Sequence, residues 1–375
     1  MLSYINPRIL KWARKQSGLS PKEAAGSYLN PAKLKLAEEG EEKLTFKQLI
    51  QIAKIYGRNP AFFYFESIPS EQVIENDFRT LKSEKVKFSP SLRKKIQQIK
   101  VKRKIAVKYK NYDQEYDYSF LNSISLTEEP EAVGEQIRSF LDISMRQREK
   151  WKNQYDAFNE YRDKIEKKGI LVFQVSGIDV EEMRGFSISK TPYPVIVINR
   201  ADSPLARIFS LLHELCHLML EKGGICTFDK ESEKHYEIEK FCNMIAGATL
   251  VPGNELKKID LVQKHIGKIW EESLLKTLSR TFWASQEVIL RRLLIFALTS
   301  KTFYMKMRNK WIKSEAVKKS KGFELPYQKV LNTNPNSFIK IVLNAMYDNK
   351  ITMADLSNYL DVSLKHLDKI QDNLK

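Results

Sequence analysis

Two histidines four residues apart, the first followed directly by a glutamate, carry the strongest chemistry in this chain: His213-Glu214-Leu215-Cys216-His217. On a helix this spacing puts His213 and His217 on one face, so both imidazoles can aim at one metal ion. Glu214 is offset by one position and can serve a metal-activated water without being a ligand. The flanks, with Ile208, Phe209, Leu211 and Leu212 before and Leu218 and Leu220 after, are apolar and place the pair in a core. The bland alternative is a pair of core histidines satisfied by hydrogen bonds, which the neighbouring glutamate makes hard to accommodate. A catalytic zinc ion takes three protein ligands and keeps one position open, so a third ligand is needed.

The stretch from His235 to Pro252 is where that ligand is expected. Ile238, Phe241, Ile245 and Leu250 form one apolar stripe, and Glu239 sits at its margin on the turn that holds Cys242 and Asn243. An acid embedded there needs a partner, and either a metal or a nearby cap or salt bridge would serve. His235 and Tyr236, four and three residues before Glu239, are candidates for stabilising a transition state, against plain surface or packing roles. Val195, Ile196, Val197, Ile198 and Asn199 form a β-rich run that is a candidate to take substrate as an added strand.

Four segments together resemble a known family. They are Arg184-Gly185-Phe186-Ser187, Ile196-Val197-Ile198-Asn199, the Phe209 to His217 run, and Glu239-x-x-Cys242-Asn243 leading to Leu250-Val251-Pro252. This pattern is similar to the ImmA/IrrE metallopeptidases, bacterial and phage-borne proteins with a minimal thermolysin-like zinc site. The resemblance implies one catalytic Zn2+ held by His213, His217 and Glu239, with Glu214 as the catalytic acid and base. It also implies a regulatory target: a partner protein, often a helix-turn-helix repressor or antitoxin encoded beside the peptidase. Cys216 departs from the family, where glycine is usual. It can narrow the cleft, add a thiolate near the metal or act as an oxidisable switch, but a small buried hydrophobe is the favoured reading.

Those residues must be positioned by the rest of the chain. Its 375 residues are 42% hydrophobic, enough for two or three ordinary cores. The expected fold is α+β, mostly α. Residues 1–68 form a helical bundle, 69–168 a basic helical linker, 169–260 a zincin-like core with a small antiparallel or mixed sheet, and 261–375 a helical C-terminal region. In the first segment, Ser20-Pro21-Lys22-Glu23 reads as a capping box, Asn30-Pro31 starts the next helix and Thr45 caps another. Helices two and three, joined by a tight turn, suit a helix-turn-helix, and Leu19 to Ala25 with Thr45 to Leu49 resembles the Xre type. Runs at Gly169–Val175, Gly185–Ser189 and Tyr193–Asn199 read as strands. Glu233 to Leu250 reads as a helix stopped by Pro252. In the tail, Thr352 to Leu356 and Val362 to Lys365 suggest a second helix-turn-helix.

The net charge of +17 favours an anionic partner such as nucleic acid, though a soluble basic surface has the same composition. Lys33 and Lys35 are candidate contacts on the third helix, but Glu38, Glu39, Glu41 and Glu42 crowd them and repel phosphate. No Arg, Asn or Gln between Ala32 and Glu39 can read a base edge with two hydrogen bonds, so docking to protein is an equal expectation for this module. Between residues 82 and 110, twelve positive charges face the single Glu84. Arg93, Lys94, Lys95, Lys102, Arg103 and Lys104 are the candidates there for non-specific nucleic-acid contact. Three cysteines make no disulfide framework, and no apolar run is long enough to span a membrane. With no signal-peptide core at the N-terminus, the expected compartment is the cytoplasm.

Two functions follow as expectations. One is a regulatory zinc endopeptidase that cleaves a partner protein by Glu214-assisted attack of water. The other is a DNA-associated regulator whose zinc domain senses or binds without significant proteolysis.

Overall fold

The computed structural model describes residues 2–67, 88–110, 115–220, 225–226, 233–266, 269–315 and 324–374. The chain compacts into two units, residues 1–104 and 105–375.

In the first unit, helices α1 (Pro7–Gln16), α2 (Pro21–Ala25), α3 (Pro31–Glu39) and α4 (Phe46–Tyr56) precede a 3-10 turn at Pro60–Tyr64. Their starts follow from local chemistry. The Asn6 and Asn30 side chains cap α1 and α3, and Ser20 and Thr45 form reciprocal capping boxes with Glu23 and Gln48. Ile9, Leu10, Leu34, Leu49, Ile52 and Phe63 make the core. A buried ion pair ties α1 to α3, with Arg14 donating to both Glu38 oxygens at 2.6 and 2.9 Å. The longer helix α5 (Pro90–Lys108) belongs mostly to this unit, and its Lys94 Nζ donates to the Lys54 carbonyl at 2.7 Å.

The second unit opens with α6 (Pro130–Leu141), α7 (Met145–Arg148) and α8 (Gln154–Glu166). Then come β1 (Leu171–Val175), β2 (Gly185–Ile188), β3 (Val195–Asn199), α9 (Pro204–Leu220), the short β4 (Ile225–Cys226) and α10 (Glu233–Leu250). The sheet order is β1-β3-β2-β4, with β1 parallel to β3 and the other pairs antiparallel. Every residue of β1 and β3 is buried, which explains their near-continuous apolar sequence. The helices α11 (Gly253–Lys258), α12 (Asp260–Gln263), α13 (Glu272–Phe282), α14 (Gln286–Ile295) and α15 (Lys301–Glu315) follow. The tail forms α16 (Pro326–Thr333), α17 (Asn336–Tyr347), α18 (Met353–Leu360) and α19 (Leu367–Asp372).

The expected segments 69–168, 169–260 and 261–375 all contribute side chains to one core. Phe120, Val133, Ile137 and Tyr161 from the expected linker pack in the same cluster as Leu211, Leu215 and Ile245, and so do Trp270, Leu278 and Leu290 from the expected C-terminal region. The tail also packs on the sheet, with Phe338 edge-on to Phe173 at 5.7 Å. Arg162 and Glu166, an ion pair of 2.8 Å with 6% exposure on each side chain, anchor it. Arg162 donates to the carbonyls of Leu331, Asn332 and Asn334, and Glu166 accepts the Asn336 N–H at 2.8 Å. Burial pushes the Glu166 carboxyl up to about 7 even though Arg162 opposes the shift.

Candidate metal centre

Helix α9 brings the two histidines together as their spacing predicts. Ser203 caps its start through the Ala206 N–H, Pro204 takes its first position, and Ile208, Leu211, Leu212, Leu215 and Leu218 sink it into the core. His213 and His217 then stand one turn apart with their Nε2 atoms 3.0 Å from each other. The His213 ring stacks on Phe209, one turn earlier, with centroids 6.4 Å apart. This stacking orients the ring, for its Nδ1 has no hydrogen-bond partner among the described residues.

Glu239 comes to the pair from α10. Its Oε2 lies 3.3 Å from His213 Nε2 and its Oε1 lies 3.1 Å from His217 Nε2. Ligands about 2.0–2.1 Å from a tetrahedral zinc ion stand about 3.3 Å from one another, so spacings of 3.0–3.3 Å fit such an ion. Two imidazoles and a carboxylate are also a donor set that zinc favours. Among the described residues His213, His217 and Glu239 are the cluster able to hold a metal. Burial raises the Glu239 carboxyl, but hydrogen bonds and charge from His213 and His217 outweigh it and hold the group well below the usual carboxylate range.

Glu214, on the same helix, lies against β2 and is 2% exposed. Burial raises its pKa, opposed by His217, His213 and the Ser187 hydroxyl. A carboxyl of this kind holds its proton closer to neutral pH than a surface glutamate does, as a proton-transferring group needs. Its neighbour on β2 is Gly185. A Cβ there would stand 3.0 Å from Glu214 Oε1, 3.1 Å from Glu214 Cγ and 3.1 Å from the Val197 carbonyl oxygen. A side chain there would force Glu214 or the strand to give by a few tenths of an ångström, because the strand's backbone lies directly against the carboxylate. The available signal was a glycine at the head of a strand, which marks a close approach of something to the backbone.

Three arginines hold the far end of α10. Arg138 donates to the Ala248 carbonyl at 2.9 Å, Arg148 to Thr249 at 2.8 Å and Leu250 at 2.5 Å, and Arg292 to Val251 at 2.9 Å. These are carbonyls that a helix C-terminus leaves without intrahelical partners. Arg148 is 1% exposed and donates to backbone carbonyls, so the negative end of the α10 dipole supplies its compensating charge. Arg292 also pairs with Glu131, which accepts the Gly253 N–H. The sequence reading missed all three, since they come from α6, α7 and α14, some of them more than a hundred residues away.

The other sequence candidates fall as follows. Val195 to Asn199 is β3, the inner strand of the sheet, with β1 on one edge and β2 on the other. Its hydrogen-bonding edges are occupied, so it cannot take substrate as an added strand, and that expectation is corrected. Asn199 instead donates to the Ile178 and Met183 carbonyls. Tyr236 is 70% exposed on α10, and the His235 side chain lies outside the described residues. Cys216 and Cys242 are buried free thiols, and burial together with Cys216 pushes the Cys242 thiol up. Both behave as small core residues.

Among the nucleic-acid candidates, Lys35 and Lys104 are exposed, and Lys33, Arg93, Lys95 and Lys102 are half-buried. Lys33 lies 4.0 Å from Glu42, and Lys94 is engaged with Lys54. Arg103 is buried at 9% exposure, which removes it as a phosphate contact. Residues 82–87 of the basic stretch lie outside the described residues. Among the described residues no helix is long and apolar enough to cross a membrane.

Residues 165–294, about a third of the chain, match the family model described as the IrrE N-terminal-like domain of the M78 peptidases. The match begins at the end of α8 and ends within α14, so it takes in the sheet, both ligand helices and Glu214. It supports a metallopeptidase of the ImmA/IrrE kind for this segment. No curated protein matches the chain.

Proposed function

We propose that this chain is a regulatory zinc endopeptidase that cleaves a partner protein, with Glu214 moving the protons of the reaction. The observation that carries the reading is the convergence of three ligand atoms at 3.0–3.3 Å beside a buried carboxyl that no ligand role uses. His213, His217 and Glu239 would hold one Zn2+, which when bound supplies the Lewis acidity that acidifies water and polarises a peptide carbonyl. Glu214 takes the proton of the attacking water on its carboxylate and hands it to the leaving amine. Its burial favours both steps, because a raised pKa lets one group act as base and then as acid. Gly185 keeps the approach to that carboxylate free of side-chain atoms.

The substrate we infer is a helix-turn-helix repressor or antitoxin encoded nearby. We further infer that α2 and α3 form an Xre-type helix-turn-helix module that docks protein or DNA, and that the protein works in the cytoplasm. Support for the module lies in the capping boxes, the short turn between α2 and α3, and the resemblance of Leu19 to Ala25.

Glu214→Gln tests the central claim. The variant should keep stoichiometric zinc in a chelator assay and lose cleavage of the neighbouring repressor by about 10²–10⁴-fold. Undiminished cleavage or undiminished regulation by this variant would transfer the function to the alternative, a DNA-associated regulator with a sensing zinc domain.

A further inference from the structure

A groove lies on the surface of the second unit, apart from the candidate metal centre. The loop after α7, the first turn of α9 and one face of α13 enclose a groove of about 640 Å³, within the size range of ligand sites. Its apolar part is Trp151, Trp283 and Leu205. Its charged part is Lys152, Lys276 and Arg280, all exposed; among the described residues no acid lines it, the nearby Asp156 carboxylate accepting the Lys152 backbone N–H at 3.1 Å. Glu272, one turn before Lys276, is engaged by Lys310 at 2.6 Å.

Trp283 is the unusual member. It ends α13 in the left-handed conformation, with φ at 53°, a position that glycine suits and a bulky side chain strains. Its indole N–H donates to the Arg148 carbonyl at 2.9 Å, and its ring meets Trp151 edge-on at 6.3 Å. Strain kept at an aromatic wall that is still partly exposed points to a surface role for the ring.

We propose that this groove docks an acidic, leucine-bearing stretch of extended polypeptide belonging to the protein substrate. The cationic rim matches acidic side chains. The two indoles pack edge-on at 60° and present an apolar wall suited to an aliphatic side chain, not the parallel plates that stack flat bases. Gln154 lines the same wall and brings a side-chain amide suited to a peptide backbone, while Asn153 beside it spends its Oδ1 capping α8 through the Tyr155 and Asp156 N–H groups. The groove also has a useful location. Leu205 precedes His213 by eight residues on one helix, about 12 Å, a span that about four extended residues cover. The biological occupant rests on the protein-substrate reading, but binding to the groove does not depend on hydrolysis.

The test is fluorescence anisotropy of a short labelled peptide of alternating Glu and Leu, titrated with full-length, zinc-loaded Glu214→Gln protein. Binding should be saturable. It should weaken about tenfold or more in Lys276→Glu/Arg280→Glu on the same background, while the exposed control pair Lys301→Glu/Lys306→Glu changes it by less than about twofold. A Ser-Leu peptide of equal length should bind at least about tenfold more weakly. Failure to bind, equal losses in both double variants, or equal binding of the Ser-Leu peptide would overturn the proposal. So would tighter binding of a single-stranded oligonucleotide of similar length that the groove variants abolish. Loss of peptide binding leaves the peptidase reading intact, and a failure of Glu214→Gln to stop cleavage leaves this result intact.

Discussion

The two helices that meet at the metal centre are held by different forces. Helix α9 is fixed along its length by buried aliphatic side chains, with Ile208, Leu211, Leu212, Leu215 and Leu218 all at 0% exposure. Helix α10 packs apolar residues too, but its C-terminal end is closed by guanidinium groups on its last carbonyls. Apolar packing is non-directional and resists loss of volume, whereas charge-assisted bonds fix one end of a helix in direction and register. The pair of imidazoles therefore depends on the core as a whole. The carboxylate that completes the site depends on a local polar clamp.

The largest effect should come from breaking the packed helix. Leu211→Ala is expected to cost about 2–5 kcal/mol of global stability in denaturant unfolding of the metal-free protein. Zinc affinity of the molecules that stay folded should change little in chelator competition. Arg148→Met should cost about 3 kcal/mol through two lost charged hydrogen bonds, and here the zinc affinity should fall by about tenfold. Hydrogen exchange should speed up at the last turn of α10. Equal shifts of stability and affinity in both variants would erase the distinction between the helices.

A pH series sharpens it from outside the pair. The Glu166 pKa is raised by folding, so its contribution is fully present below about 4.5, the ordinary glutamate value, and is lost as pH rises toward about 7. Relative to Glu166→Gln, the native chain should lose at most about 3 kcal/mol across that window. Parallel melting curves for the two proteins from pH 5 to 8 would refute this. The smallest effect on stability, about 1–2 kcal/mol, belongs to Gly185→Ala, whose methyl group presses on Glu214 and the Val197 carbonyl. Its effect on cleavage should be much larger, near 10²-fold, with zinc retained. Unchanged cleavage would show that Gly185 does not set the position of Glu214.

What could be read in advance follows the same division. The His213 and His217 pairing was legible because a helix enforces it over four residues. Glu239 was legible as an acid out of place beside an apolar stripe. The strand runs were found within two residues, since buried strands write continuous apolar sequence. The order of strands was not, because each of the three main runs looks alike and only pairing decides that β3 is inside. The arginine clamp was invisible for a related reason. Arg138, Arg148 and Arg292 look like ordinary surface cations until the chain brings Ala248 to Val251 beneath them.

The Arg162–Glu166 pair bears on where this chain can be cut. The stretch that matches the peptidase family stops at residue 294, yet Arg162 gives three donors to carbonyls between Leu331 and Asn334. A fragment ending after α15 would strand a buried guanidinium and bare the Phe173 side of the sheet to water. The family-matched third of this chain is thus a passenger of its own tail. Any minimal version made for assay has to carry the chain through α17.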